Sequence, residues 1–235
     1  MKIYLCLLFV AFVATSFKVV SCEIKFGVGE NPPYAYKTKQ GLWKGSDIDK
    51  IKKMVTSVNC NLTYVEGSFS ERLLMLNKGL IDVMPNISKL EERNSYVFYI
   101  GPLRAEKLSL VTTSEISERI SSLEDISNLN YFFGKPAKAY LGKKFHQLYS
   151  TDSNFSKKFI DIYSTEDIYN LLDRGRIVGF FEESNSLGYH LESSNFYLNL
   201  KRHPVELDTG DIYFGVSKKS MKTDFLMKLK QSFTH

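Results

Sequence analysis

Short apolar runs alternate with helically spaced ones along most of this chain, and that alternation limits the folds open to it more than any other feature. Ile24 to Val28 reads as a strand. Pro32-Pro33 follows and bars its continuation, because neither ring has an N–H to give to a ladder. Across Asp47 to Val58 the apolar residues Ile48, Ile51, Val55 and Val58 recur at helical spacing. Leu62 to Val65 reads as the next strand, Ser70 to Lys78 as a helix ended by Gly79, and Ile81 to Met84 as a third strand. The second half repeats the rhythm. Strands are expected at Asn130 to Phe133, Phe159 to Tyr163, Ile177 to Phe181 and Ile212 to Val216. Helices are expected at Ala137 to Leu148, at Thr165 to Arg174 behind a Ser164 or Thr165 cap, and at Asp224 to Phe233. Strand, helix, strand in succession is the pattern of an α/β fold with a mostly parallel sheet flanked by helices. Two such units of roughly 90 residues fit the usual domain size. A ligand site in such a fold is expected beyond the carboxyl ends of the strands.

The N-terminus reads as an export signal. Residues 1–22 combine Lys2, an apolar run from Ile3 to Phe17, and the small-residue cleavage pattern Val19-Val-Ser21. The run is shorter than the ~20 residues that span a bilayer, so cleavage is preferred to a retained anchor. Val19-Val-Ser-Cys22 also matches a lipobox, in which Cys22 would carry a lipid. The alternative is a disulfide. Cys22 precedes Ile24 by the same interval as Cys60 precedes Leu62, so adjacent parallel strands would bring the two sulfurs together in an oxidising compartment. The sequence leaves both readings open. The formal charge of +5 drops to about +3 without the leader, too weak and dispersed for a nucleic-acid partner. The four histidines show no i, i+4 pair and there is no Cys-x-x-Cys, so no metal or other cofactor is expected.

Several motifs in order resemble those of family 3 extracellular solute-binding proteins, which serve bacterial uptake of polar amino acids. Gly41-Leu-Trp-Lys-Gly-Ser-Asp-Ile-Asp49 looks like the family's turn and helix start, with Ser46 in place of the usual Phe. Leu76-Asn-Lys-Gly-Leu-Ile-Asp82 resembles its L-x-x-G-x-x-D. Ser88-Lys-Leu-Glu-Glu-Arg93 resembles S-I-T-x-x-R, with Leu90 where Thr is usual. Ile100-Gly-Pro102 and Gly175-Arg-Ile-Val-Gly-Phe-Phe-Glu-Glu183 complete the series. The resemblance implies a two-lobed, type II periplasmic-binding-protein-like fold. Lobe one would hold residues 23–111 plus 205–235 and lobe two residues 112–204, with crossings at Leu108 to Thr113 and His203 to Asp211.

The resemblance also implies the site. Arg93, exposed in the cleft, would grip a ligand carboxylate through its planar fork, with the Ser88 hydroxyl beside it. A solvated ion pair with Glu91 or Glu92 is the bland alternative. Glu183 stands where the family has an Asp for the ligand ammonium; the longer side chain and Val178 in the other acidic position tilt the reading away from a standard amino acid. Tyr34, Tyr36 and Trp43 are candidates for an aromatic floor. Glu30 could meet a basic or hydroxyl group, and Tyr140 resembles an aromatic the family often carries. Lys135, Lys138, Lys143 and Lys144 form a basic edge, read as a solvated face.

The expected function is capture of a small polar, carboxylate-bearing solute by an exported monomer for delivery to a membrane permease. Closure of two lobes needs no catalytic group. The alternatives are a sensory protein of the same fold, or a periplasmic dehydratase-like enzyme in which Glu183 or Glu30 acts as a general acid.

Overall fold

The computed structural model describes residues 22–193 and 199–233; the leader expected at residues 1–21 lies outside them. The first half runs β1 (Cys22–Val28), a short hairpin of β2 (Tyr36–Lys37) and β3 (Trp43–Lys44), α1 (Ser46–Ser57), β4 (Cys60–Glu66), α2 (Phe69–Lys78) and β5 (Val83–Ser88). A strand of 17 residues, β6 (Val97–Thr113), leads through the short α3 (Ser114–Ser117) to β7 (Phe133–Pro136). Then come α4 (Lys143–Thr151), α5 (Ser153–Ser156), β8 (Phe159–Ile162), α6 (Thr165–Asp173), β9 (Gly179–Glu183) and α7 (Ser184–Ser193). The 18-residue β10 (Leu200–Ser217) and α8 (Thr223–Gln231) close the order.

The strands form one sheet in the order β4-β1-β5-β10-β6-β9-β7-β8. Both ends are parallel: β1 pairs with β4 and β5, and β7 pairs with β8 and β9. The centre is antiparallel, because β10 runs against both β5 and β6, and β6 against β9. The expected crossings, Leu108 to Thr113 and His203 to Asp211, lie within β6 and β10, which pair with each other as one ribbon reaching both ends of the sheet.

Apolar clusters sit on both faces at each end. Phe26, Ile48, Ile51, Phe214 and Leu229 pack beneath one face of the first end, and Leu76, Ile81, Met84 and Ile87 beneath the other. At the second end Phe133, Phe145, Phe155 and Phe181 form one layer, and Ile162, Phe180 and Leu187 the other. Each such side chain taken from water contributes about 1.5–3 kcal/mol, which explains why the helices lie where their apolar stripes point.

Local chemistry sets the helix ends. Ser68 and Glu71 form a capping box at the start of α2, and Gly79 closes it in the left-handed region at φ 72°. Ser164 and Asp167 do the same for α6. Two expectations shift. The strand expected at Asn130 to Phe133 begins only at Phe133, and the helix expected from Ala137 begins at Lys143. The intervening chain is a tight turn, with Lys138 at φ 61° and Gly142 at φ 86°. A Cβ on Gly142 would lie 2.3 Å from the Asp208 carbonyl oxygen, so only glycine fits that crossing. α7 was not foreseen; it starts on the residue after β9.

Cys22 and Cys60 are opposite each other in the β1–β4 register and are joined by a disulfide with a Cα–Cα distance of 4.5 Å. The sulfur of Cys22 is therefore committed to Cys60. Among the described residues no helix is long and apolar enough to cross a membrane.

Candidate functional site

A cavity of about 500 Å³ opens where the parallel strands end. Its walls come from Gly29 to Asn31 after β1, Gly67 to Arg72 after β4, and Asn86 and Ser88 in β5. Facing them are Pro136 at the end of β7 with Ala137, Ala139 and Tyr140 beyond it, Ile162 at the end of β8 with Tyr163 to Thr165 beyond it, and Phe181 to Glu183 in β9. Glu106 and Leu108 of β6 line it between the two sides. All the parallel strands point their carboxyl ends at one volume, as an α/β sheet requires of a ligand site.

Of the residues singled out from sequence, Glu30, Ser88, Tyr140 and Glu183 are on the cavity wall. Arg93 is not on it, and the expectation that it is exposed in the cleft is corrected: it is 2% exposed. The short helical turn Glu91–Arg93 folds its guanidinium inward, where Nη1 donates to the Ser88 carbonyl (3.3 Å) and Nη2 to the Lys138 carbonyl (3.1 Å). Ser88 thus meets Arg93 through its main chain rather than its hydroxyl. Trp43 also lies off the wall. It is 7% exposed, packed in the first core cluster near Tyr64, with Lys37 Nζ 5.3 Å from its ring centroid. No aromatic floor is assembled there, and Tyr36 faces Tyr189 at 6.2 Å.

Tyr34 has a different part. Its ring lies against the Arg104 guanidinium, 3.3 Å from the centroid. Arg104 in turn forks onto both oxygens of the buried Asp47 carboxylate (2.9 Å each) and onto Asn86 Oδ1 (2.7 Å). The Tyr34 hydroxyl meets the start of α7: Asn185 Nδ2 donates to it at 2.6 Å, and it donates to Glu183 Oε1 at 3.5 Å. Beside it, Ser186 Oγ lies 2.6 Å from Asn31 Oδ1 and against the Pro32 carbonyl. These contacts, with Arg93 on Lys138, clasp the Asn31–Tyr34 turn and β5 to the opposite wall.

Glu183 is already occupied by this clasp. Its Oε2 accepts the main-chain N–H of Asn185 (3.0 Å) and of Ser186 (2.7 Å), so it caps the start of α7. Glu182 pairs with His190 at 3.5 Å, and Glu30 accepts the Lys37 N–H at 3.3 Å. Two ionisable groups on the wall were missed in the sequence. Glu106 is held by the Thr209 hydroxyl (2.8 Å), and burial pushes its carboxyl up to about 7, with Glu183 nearby adding to the rise. Arg72 is 6% exposed and burial lowers its pKa to about 10. The signal for Arg72 was present: it falls three residues after Phe69 and four before Leu76, on the apolar stripe of α2. Two of the four lysines of the expected basic edge are paired, Lys135 with Asp161 and Lys144 with Glu124.

The fold is that of known binding proteins. A mutant of the arginine-bound arginine-binding protein from T. maritima superposes with a TM-score of 0.74 at 18% identity, over 90% of this chain and 94% of that one. An amino acid ABC transporter substrate-binding protein from Streptococcus pneumoniae, bound to L-arginine, gives 0.74 at 17% identity, over 90% and 87%. A Salmonella typhimurium periplasmic binding protein described for high arginine specificity gives 0.71 at 16% identity, over 91% and 92%. No match was found among the curated proteins. The profile of one family, however, matches residues 24–234, nearly the whole chain. The chain belongs to the bacterial extracellular solute-binding proteins, family 3.

Proposed function

We propose that this protein is exported and captures a small polar, carboxylate-bearing ligand, an amino acid or a related acid, for delivery to a membrane permease. Members of its family bind solutes rather than transform them, and the two-sided cavity is what carries the reading here: polar groups converge on it from both ends of the sheet. Residues 23–111 with 205–235 act as one lobe and residues 112–204 as the other. The ribbon of β6 and β10 joins them. Opening separates Tyr34 from Asn185, Ser186 from Asn31 and Arg93 from the Lys138 carbonyl; ligand held by both walls restores all three.

In this reading Ser88, Glu30 and Tyr140 meet the ligand directly. Glu183 shapes the wall as the α7 cap and clasp, and Arg93 supports Ser88 from behind. The protein acts as a monomer, freed by removal of residues 1–21. With Cys22 tied to Cys60, it carries no lipid there. Protein stripped of ligand by unfolding and refolding is to be screened by thermal shift against amino acids, dicarboxylic acids and cyclic acids. A saturable upward shift with a carboxylate and none with its amide supports the reading. Absence of any shift across the panel rejects it.

A further inference from the structure

Three arginines are buried or half-buried around the cavity, and the fates of their heads differ. Arg104 has spent both terminal nitrogens, on Asp47 and Asn86. Arg93 has spent both on main-chain carbonyls. Arg72 has not. Its Nε donates to the Gly67 carbonyl at 3.0 Å, while Nη1, shut off from solvent, has no hydrogen-bond partner among the described residues. No carboxylate pairs with it among the described residues. Glu71, the preceding residue, turns away to cap α2 through the Ser68 N–H at 2.8 Å. A guanidinium that is 6% exposed with an unclaimed donor end is costly in a fold unless something else completes it.

The surroundings make room for that head. Gly29, just past the end of β1, stands against it: a Cβ there would lie 3.2 Å from Nη2 and 2.9 Å from the Gly67 carbonyl oxygen. Arg72, Gly29, Gly67 and Ser70 share the same cavity wall, so the head and a small hydroxyl border the space a ligand fills.

We propose that Arg72, rather than Arg93, receives the ligand carboxylate. This rests on the reading of the cavity as a carboxylate site and assigns its anion end to the exit of β1 and the start of α2. The planar fork takes a carboxylate through two parallel hydrogen bonds and completes the charge that the protein leaves unpaired. Arg93 then acts as a positioning residue, holding the Ser88 and Lys138 main chains.

The test measures by calorimetry the affinity for L-arginine, L-glutamine and succinate, each beside its amide, in wild type and variants. In Arg72→Met the preference for acid over amide is expected to collapse by about 30-fold or more, with amide binding kept, and Arg72→Lys is expected to recover part of it. In Arg93→Lys the acid-to-amide ratio is expected to stay at the wild-type value even if all affinities fall. Should Arg72→Met fail to fold, Gly29→Ala serves instead. It keeps the charge but displaces the head, and is expected to lower acid binding selectively. An unchanged acid-to-amide ratio in the Arg72 or Gly29 variants, or its loss in Arg93→Lys alone, overturns the assignment while leaving the binding function standing. If wild type binds none of the acids, the carboxylate reading falls, and this assignment with it.

Discussion

Replacing Glu106 by Gln isolates the cost of an acid placed on the cavity wall without a basic partner in contact. In the folded protein the carboxyl is pushed from 4.5 up to about 7, chiefly by burial. Below pH 4.5 both folded and unfolded chains hold the proton, so the group costs nothing. Between 4.5 and about 7 the folded chain binds the proton and the unfolded chain releases it, so stability falls as pH rises. Above that window the cost is constant. At 1.36 kcal/mol per pH unit it amounts to about 3 kcal/mol. Gln has no proton to lose and keeps an oxygen for the Thr209 hydroxyl, 2.8 Å from Glu106 Oε2 in the native protein. Urea unfolding of both proteins is therefore expected to give equal stabilities near pH 4.5 and a variant up to about 3 kcal/mol more stable at pH 8. For a chain of this size that is roughly 6–12 °C in melting temperature. A difference independent of pH, or a variant less stable at pH 8, would refute the reasoning.

Other perturbations have equally definite outcomes. Replacing Cys60 by Ala opens a link across 38 residues and is expected to cost about 4 kcal/mol in urea unfolding, matched by reduction of the wild type. Intact mass of exported protein should read two units below the reduced value, with no lipid adduct. Arg93→Ala strips donors from the buried Ser88 carbonyl and the part-buried Lys138 carbonyl; a loss of about 2–3 kcal/mol of stability is expected, so an undiminished urea midpoint would contradict its placement. Tyr34→Phe removes the hydroxyl that meets Asn185, and Ser186→Ala the one that meets Asn31. Each is expected to favour the open form by about 1 kcal/mol, seen as a larger radius of gyration in X-ray scattering of stripped protein.

The sequence exposed what short-range chemistry decides and hid what pairing decides. α1, α2 and α6 were legible because apolar spacing, a Ser cap and Gly79 are local signals. The full length of β10 was not. Lys201 to Gly210 is polar and broken by Pro204, and it becomes a strand only because β6 supplies the partner ladder. The α4 start was misplaced because the turn at Gly142 is imposed by Asp208, 66 positions away in the chain. Ser88, Glu30, Tyr140 and Glu183 come onto the cavity wall because motif order locates strand ends, and strand ends make the cavity. What each side chain does there was not readable. Whether a guanidinium meets a ligand or a carbonyl depends on which way one short turn faces, as Arg93 shows.

The ribbon of β6 and β10 has a mechanical consequence. A ladder hydrogen-bonded along its length resists sliding of one strand past the other, since each step would break several bonds at once. The register nonetheless slips at Arg202/Glu206, Asp208/Gly210 and Ile212/Phe214, and at each slip the ladder loses its regular spacing. Bending is expected to be easiest at these three places, and the middle one carries Gly210 at φ 75° opposite Glu106. The three slips thus mark a crease in the ribbon, and the crease runs past the cavity wall itself. Amide hydrogen exchange along β10 should be fastest at the slips and slowest between them, and any group that fills the cavity beside Glu106 stiffens the crease as it binds.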